Sequence, residues 1–302
     1  MLTGSNTLNH NLDMSKTATP RVILETIFPY LKVAAGYACL IQPKIQALPA
    51  KVGDNAFAAA LSDADLSIQN FIEVTLLSLF PEIRFYGEEY EKSSNTKYFR
   101  SIEWGDKGDY LLTLDPIDGT RFYLDGHSNY QIIFSVLNRD HYEAVLAVSP
   151  ALEQYYYAIR GEGAFYGSFE MAFNQCQPLT LNTSSSSILL GTKVGYLKSK
   201  FPAKYEVIDI AASYSQTTQI PTVNGILTGD LSGVALRSGQ LIDGAALGFI
   251  VEMAGGLVSN FAGESLPPVY TCKNYRYNGI VMAASASVQR DILKVTSADQ
   301  SD

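Results

Sequence analysis

The segment Leu114-Asp115-Pro116-Ile117-Asp118-Gly119-Thr120 concentrates hard-oxygen chemistry in seven residues. The apolar run Tyr110–Leu114 reads as a buried strand that delivers Asp115 to its C-terminal end, and Pro116, which has no N–H, is expected to stop the ladder there. Asp118, three residues on, can turn back toward Asp115 so that both carboxylates share a cation, with the Ile117 carbonyl as a third oxygen. Such a donor set suits Mg²⁺, which prefers oxygen ligands and retains water. Gly119 and Thr120 are expected to open a helical turn whose free N–H groups could hold phosphate oxygens. The same Asp-Pro-x-Asp-Gly spacing also satisfies a type I turn for backbone reasons alone. On its own the segment leaves metal binding and a plain turn both open.

Other acids stand at element ends. Glu88 lies in Gly87-Glu88-Glu89 behind the short apolar-alternating run Ile83–Tyr86, where it is either a strand-end ligand or a solvated loop acid. Asp65 belongs to Ser62-Asp63-Ala64-Asp65, a capping sequence ahead of the helical stripe Phe71, Ile72, Thr75, Leu76, Leu79 that Pro81 ends. Asp243 leads the helical run Gly244–Ala254, and reads as an N-cap or as an acid given room by Gly244, Ala245 and Ala246.

The elements that must position these acids follow from periodicity. Val22, Ile23, Ile27, Leu31, Ala34, Ala38 and Ile41 mark one face of a helix over Arg21–Gln42. Tyr130–Leu137, Glu143–Val148 and Gln154–Ile159 alternate with turns as an antiparallel meander, and Gly161–Gly167 is expected to punctuate it and end the first half. Pro178–Leu181 opens the second half, and Ile188–Leu190 is a short strand. Ala203–Leu227 carries mixed signals. Gly255-Gly256 stops the Asp243 helix, Leu257-Val258 and Asn278–Ala284 are strands, and Val288–Val295 is a terminal helix. These runs predict a layered α+β fold in two halves sharing a core. An N-terminal α+β subdomain over 20–167 would carry most of the acids, a C-terminal α/β subdomain over 168–295 would carry Asp243, and 1–19 and 296–302 would be loose polar tails.

The chain has 302 residues, 22 Lys+Arg against 30 Asp+Glu, and a formal net charge of −8. With 47% hydrophobic and 17% charged residues it is not a disordered chain. The acidic balance argues against a nucleic-acid polymer as partner. It is compatible with a small phosphorylated substrate, because a bound cation can supply positive charge locally. No uninterrupted apolar run approaches the roughly 18–20 residues of a membrane span, so no membrane partner is expected. The N-terminus lacks the basic and apolar regions of a secretory signal. Cys39, Cys176 and Cys272 form no CxxC pair and are expected to be reduced thiols of a cytoplasmic protein. His10, His127 and His141 leave little material for a His-based metal site or triad.

Taken in order, Gly87-Glu-Glu89, Asp115-Pro-Ile-Asp-Gly-Thr120, Asp243-Gly-Ala-Ala and Glu252-Met-Ala-Gly-Gly256 resemble the inositol monophosphatase family, whose superfamily includes bisphosphate nucleotidases and fructose-1,6-bisphosphatases. The resemblance covers roughly residues 20 to 290. It implies an αβαβα sandwich, commonly a homodimer, and a Mg²⁺-dependent, often lithium-sensitive phosphomonoesterase using two or three Mg²⁺ ions and a metal-activated water. The implied substrate is a small phosphorylated metabolite: an inositol phosphate, a sugar phosphate or a 3′-phosphonucleotide.

By the same resemblance, Glu88, Asp115, the Ile117 carbonyl, Asp118 and Asp243 are the metal ligands. Asp65 helps organise a further metal and its waters, with Ser62 where the family usually has threonine. Thr120 and Glu88 orient the attacking water, Gly119 and Thr120 bind phosphate through backbone N–H groups, and Asp243 also reaches substrate. The alternative is a non-catalytic phosphosugar- or nucleotide-binding relative that kept the scaffold. Departures concentrate where substrate is selected. Leu236 stands where the family carries a hydroxyl-binding glutamate, Ile242 replaces a frequent tryptophan, and Gly229–Ala235 and the loop Lys51–Ala60 differ from the usual pattern. Arg237 or Lys193 is either a second-phosphate contact or a solvated surface charge.

Overall fold

The structure, a computed structural model, describes residues 18–45, 62–89, 104–106 and 108–297. Most of the two expected tails, 1–17 and 298–302, and the loop Lys51–Ala60 lie outside the described residues.

Helix α1, Pro20–Ile41, opens where the Thr19 hydroxyl accepts from the Val22 N–H, and it buries Ile23, Leu24, Ile27, Phe28, Leu31, Ala34, Ala35 and Ala38 at helical spacing. Helix α2, Asp63–Leu79, packs beside it. Both lie on a sheet that, among the described residues, has seven strands in spatial order: β1 Arg84–Gly87, β2 Leu111–Asp118, β3 Gln131–Leu137, β4 Tyr142–Ser149, β5 Gln154–Ile159, β6 Gly163–Ser168 and β7 Gln177–Pro178. β1 and β2 are parallel and every later neighbour is antiparallel. The Gly161–Gly167 stretch therefore does not end the sheet. Gly161, at φ +82°, makes the hairpin turn, and Gly163 through Gly167 then pair along β5, so the sheet runs on to Pro178.

A second sheet has the order β11-β12-β10-β8-β9, formed by β8 Ser187–Leu190, β9 Glu206–Asp209, β10 Gly233–Gln240, β11 Leu257–Ser259 and β12 Arg276–Ala283. The stretch of mixed sequence signals resolves into β9 and two one-turn helices, α4 Ile210–Ser213 and α5 Gly225–Thr228, too short to show a period. Helix α6, Gly244–Met253, touches β4, β5 and β6 on one side and β10, β11 and β12 on the other. Helix α7, Ala286–Ser297, covers the far side of the second sheet against β10 and β12. The layers thus run α, β, α, β, α.

Strand alternation assigns each side chain to a layer. On β4, Ala144, Leu146 and Val148 face the α1–α2 core, while Val145 and Ala147 face α6. On β10, Val234 and Leu236 face α6, and Ala235 faces α7. Sheets covered on both faces read as near-continuous apolar runs, as Gln131–Leu137 does in its middle. α7 extends past the expected boundary. Thr296 is fully buried, its hydroxyl 3.5 Å from the Phe261 carbonyl, so Thr296 and Ser297 belong to the helix rather than to a tail.

Helix α1 with its following turn, Pro20–Lys44, is long and apolar enough by length and composition to cross a membrane. Its buried stripe instead seats it on the first sheet.

Candidate active site

The parallel pairing of β1 with β2 brings two of the acids to one level. Gly87 is the register partner of Leu114, and the Glu88 N–H donates to the Leu114 carbonyl at 3.1 Å. Glu88 and Asp115 therefore follow each other's partners at the C-terminal end of the pair. Pro116 does not stop β2, contrary to the expectation from sequence. The register passes from Asp115↔Ile133 to Asp118↔Gln131, so a bulge absorbs Pro116 and the pairing resumes at Asp118. The bulge lets the Ile117 N–H donate to Asp115 Oδ1 at 3.1 Å.

Gly119 then reverses the chain at φ +92°, a left-handed conformation that favours glycine, and caps the short helix α3, Thr120–Leu124. The turn sets the Thr120 Oγ1 3.0 Å from the Ile117 carbonyl and 3.1 Å from Asp65 Oδ1. Asp65 reaches this point from the first turn of α2. Its Oδ2 accepts from the Ser62 N–H at 2.8 Å and from the Ser62 hydroxyl at 2.5 Å. Asp65 is thus both the capping partner of its own helix and the acceptor for Thr120. Ser62, Asp65, Asp115 and Thr120 are all buried.

Asp243 stands at the N-terminus of α6, three residues after β10 ends. Its side chain accepts from the Gly244 N–H and caps α6. The Tyr142 hydroxyl, from β4, donates to the Leu241 carbonyl at 2.7 Å and ties the approach to α6 onto the first sheet. Burial pushes the Asp243 carboxyl up to about 8, the Asp118 carboxylate adds to the rise, the Gly244 N–H opposes it, and Glu88 adds a smaller upward push. Asp118 is raised by burial first and by Glu88 second. Glu88, Asp118 and Asp243, from three elements, therefore share one electrostatic field. Among the described residues, no Lys or Arg is one of the groups that shift either aspartate.

Among the described residues, no three His, Cys, Asp or Glu side chains stand together as a ready-made metal-ligand group. The donor chemistry nevertheless fits a hard cation: carboxylates and one peptide carbonyl, with no nitrogen or sulfur, around mutually repelling half-buried acids.

Two positioning contacts were not readable from sequence. Gln69, buried on α2, accepts the Glu89 N–H on its Oε1 at 2.9 Å. A Cβ on Gly87 would stand 2.4 Å from the Gln69 side chain, so glycine is what allows this approach. A glycine directly before two acids was the available signal. Tyr142 gave none. Of the residues at the sequence departures, Leu236 is buried, and a Cβ on Gly244 would meet its Cδ1 at 2.6 Å; it packs under the first turn of α6. Ile242 is buried too, whereas Arg237 is exposed.

Known proteins resemble this chain in sequence and in fold. The profile of the inositol monophosphatase family matches residues 30–298. A protein of Neisseria meningitidis serogroup A named putative Nus factor SuhB is 25% identical over 260 residues, covering 82% of this chain and 88% of the relative. The fructose-1,6-bisphosphatase/inositol-1-monophosphatase of Thermotoga maritima is 23% identical over 243 residues, covering 79% of this chain and 85% of its own length. A solved IMPase/NADP phosphatase in complex with Mg²⁺ and phosphate superposes with a TM-score of 0.64 at 18% identity, covering 91% of this chain and 95% of that one. With the layer order, the ordered acids and the profile match in hand, the chain belongs to the inositol monophosphatase family and is a phosphomonoesterase of that class.

Proposed function

We propose that the chain is a Mg²⁺-dependent phosphomonoesterase that hydrolyses a small phosphorylated metabolite by attack of water. The observation that carries this reading is the buried Ser62–Asp65–Thr120–Ile117 chain of contacts beside acids from β1, β2 and α6 that share one field. Glu88, Asp115, the Ile117 carbonyl, Asp118 and Asp243 would hold two or three divalent cations. When bound, those cations offset the acids' charge, acidify a water and stabilise the leaving oxygen. The solved relative captured with Mg²⁺ and phosphate supports that choice of ion.

The chain's own residues do the orienting. Asp65, held by Ser62, fixes the Thr120 hydroxyl so that Thr120 and Glu88 place the attacking water in line with the phosphorus. The backbone N–H groups of Gly119 and Thr120 receive phosphate oxygens, and Asp243 reaches the substrate side. No histidine is needed. Leu236 cannot accept a hydrogen bond from a substrate hydroxyl, which weighs against a polyol ring as the preferred leaving group. The family likeness supports a homodimer, and the three free thiols suit a reducing compartment.

The test is phosphate release from inositol-1-phosphate, 3′-phosphoadenosine-5′-phosphate, fructose-1,6-bisphosphate and histidinol phosphate, with Mg²⁺ and with a chelator. Mg²⁺-dependent release with a clear ranking is expected. Release unaffected by the chelator contradicts the metal assignment, and binding without release from any substrate points to the non-catalytic relative.

A further inference from the structure

The first sheet carries a polar row beside the candidate site that the proposed mechanism leaves unused. On β3, Ile132, Phe134 and Val136 face the α1–α2 core while Ile133 and Leu137 face α6, so alternation turns Gln131 to the α6 side as well. The β2 bulge returns Asp118 to register with Gln131. Directly paired residues share a face, with Cβ atoms roughly 4.5–5.5 Å apart. On the other flank, the pairing of Ile132 with Val148 brings Ser149 of β4 beside Gln131. Gln131 thus stands between Asp118 and Ser149, and both Gln131 and Ser149 are buried.

The Gln131 amide is half satisfied. Its Nε2 donates to the Ser149 hydroxyl oxygen at 2.9 Å, which fixes the orientation of the amide. Its Oε1 is shut off from solvent and accepts from nothing among the described residues. A buried acceptor left without a donor costs about 1–3 kcal/mol. Asp118 supplies no donor, because an ionised carboxylate only accepts. Among the described residues no Lys or Arg pairs with Asp118, so no side-chain cation takes that place. Two facing acceptors call for a proton-bearing group between them, and Mg²⁺ held by carboxylates keeps several waters that can be that group. We propose that Gln131 is a positioning residue of the cation site: its Oε1 accepts from a water on the divalent cation that Asp118 holds, and Ser149 keeps the amide turned that way. This role rests on the Mg²⁺ reading above and adds to it a residue from outside the acidic motifs. Outer contacts of this kind orient the ligands, and losing one costs roughly 10–100-fold in metal affinity.

Calorimetric titration of the metal-free full chain with Mg²⁺ tests this on wild type, Gln131→Met, Gln131→Glu and Ser149→Ala, with folding checked by far-UV circular dichroism. Methionine keeps the length of the side chain and removes the acceptor, so Mg²⁺ binding should weaken about tenfold. The metal-free Tm should stay level, since the lost Nε2 bond is offset by removal of an oxygen that had no donor. Gln131→Glu retains an acceptor and should bind Mg²⁺ at least as tightly as wild type. Ser149→Ala frees the amide and should weaken binding in the same direction as Gln131→Met. A folded Gln131→Met protein that binds Mg²⁺ as wild type does overturns the proposal, and a lowered metal-free Tm with that unchanged affinity assigns Gln131 to packing alone. If Gln131→Met fails to fold, unchanged affinity in Ser149→Ala overturns the proposal by itself. A wild type that binds no Mg²⁺ overturns the metal reading beneath it, a result distinct from wild-type binding that the variants leave untouched.

Discussion

Thr120 is the residue on which the site's geometry turns. One hydroxyl lies between the Asp65 carboxylate and the Ile117 carbonyl, and Asp65 is itself fixed by Ser62. Thr120→Val keeps the shape and removes the hydroxyl, so kcat should fall about 100-fold, and Thr120→Ser should recover much of it in steady-state assays. Asp118 and Asp243 make a separate prediction. Their carboxyls are raised in the folded protein, so between the unfolded value near 4 and the folded value the native state binds more protons than the unfolded chain. Stability present below about pH 4 is therefore lost as pH rises through about 8. Calorimetry of metal-free protein should show Tm falling over that window, and added Mg²⁺ should restore it most at the alkaline end.

Elements convert sequence neighbours into site neighbours. The β2 bulge and the Gly119 turn place Thr120 beside Ile117, and Gly119→Ala should cost about 1–2 kcal/mol by urea unfolding because its φ is positive. Gly87→Ala should displace Gln69 from the Glu89 N–H, costing about 1 kcal/mol of stability while lowering phosphate release at least tenfold. The periodic elements were legible because period and burial coincide: α1, α2, the meander and α6 lie close to where their apolar stripes placed them. The bulge was not, since proline signals a break without saying whether pairing resumes. The acids could be named from motif spacing. Their grouping could not, because the Thr120–Asp65 contact joins residues 55 apart and depends on how α2 docks on the first sheet.

At the scale of the whole molecule, the candidate site joins the first sheet to the helix layer between the two sheets. Glu88, Asp115 and Asp118 come from the first, and Asp243 comes from the helix sandwiched between them. The packing of α6 therefore sets the distance between the acids. Ile250→Ala, at a fully buried position of α6, should cost about 2–5 kcal/mol in chemical unfolding. The acidic balance of the chain acquires a local meaning, since acids that repel one another in the folded protein become a place for phosphate once cations bind. The most direct test is phosphate release in Mg²⁺ by wild type and by Asp115→Asn, with folding checked by circular dichroism. A folded Asp115→Asn protein with at least about 100-fold less activity is the predicted result. Equal release by both proteins would contradict the assignment of these acids to the catalytic centre.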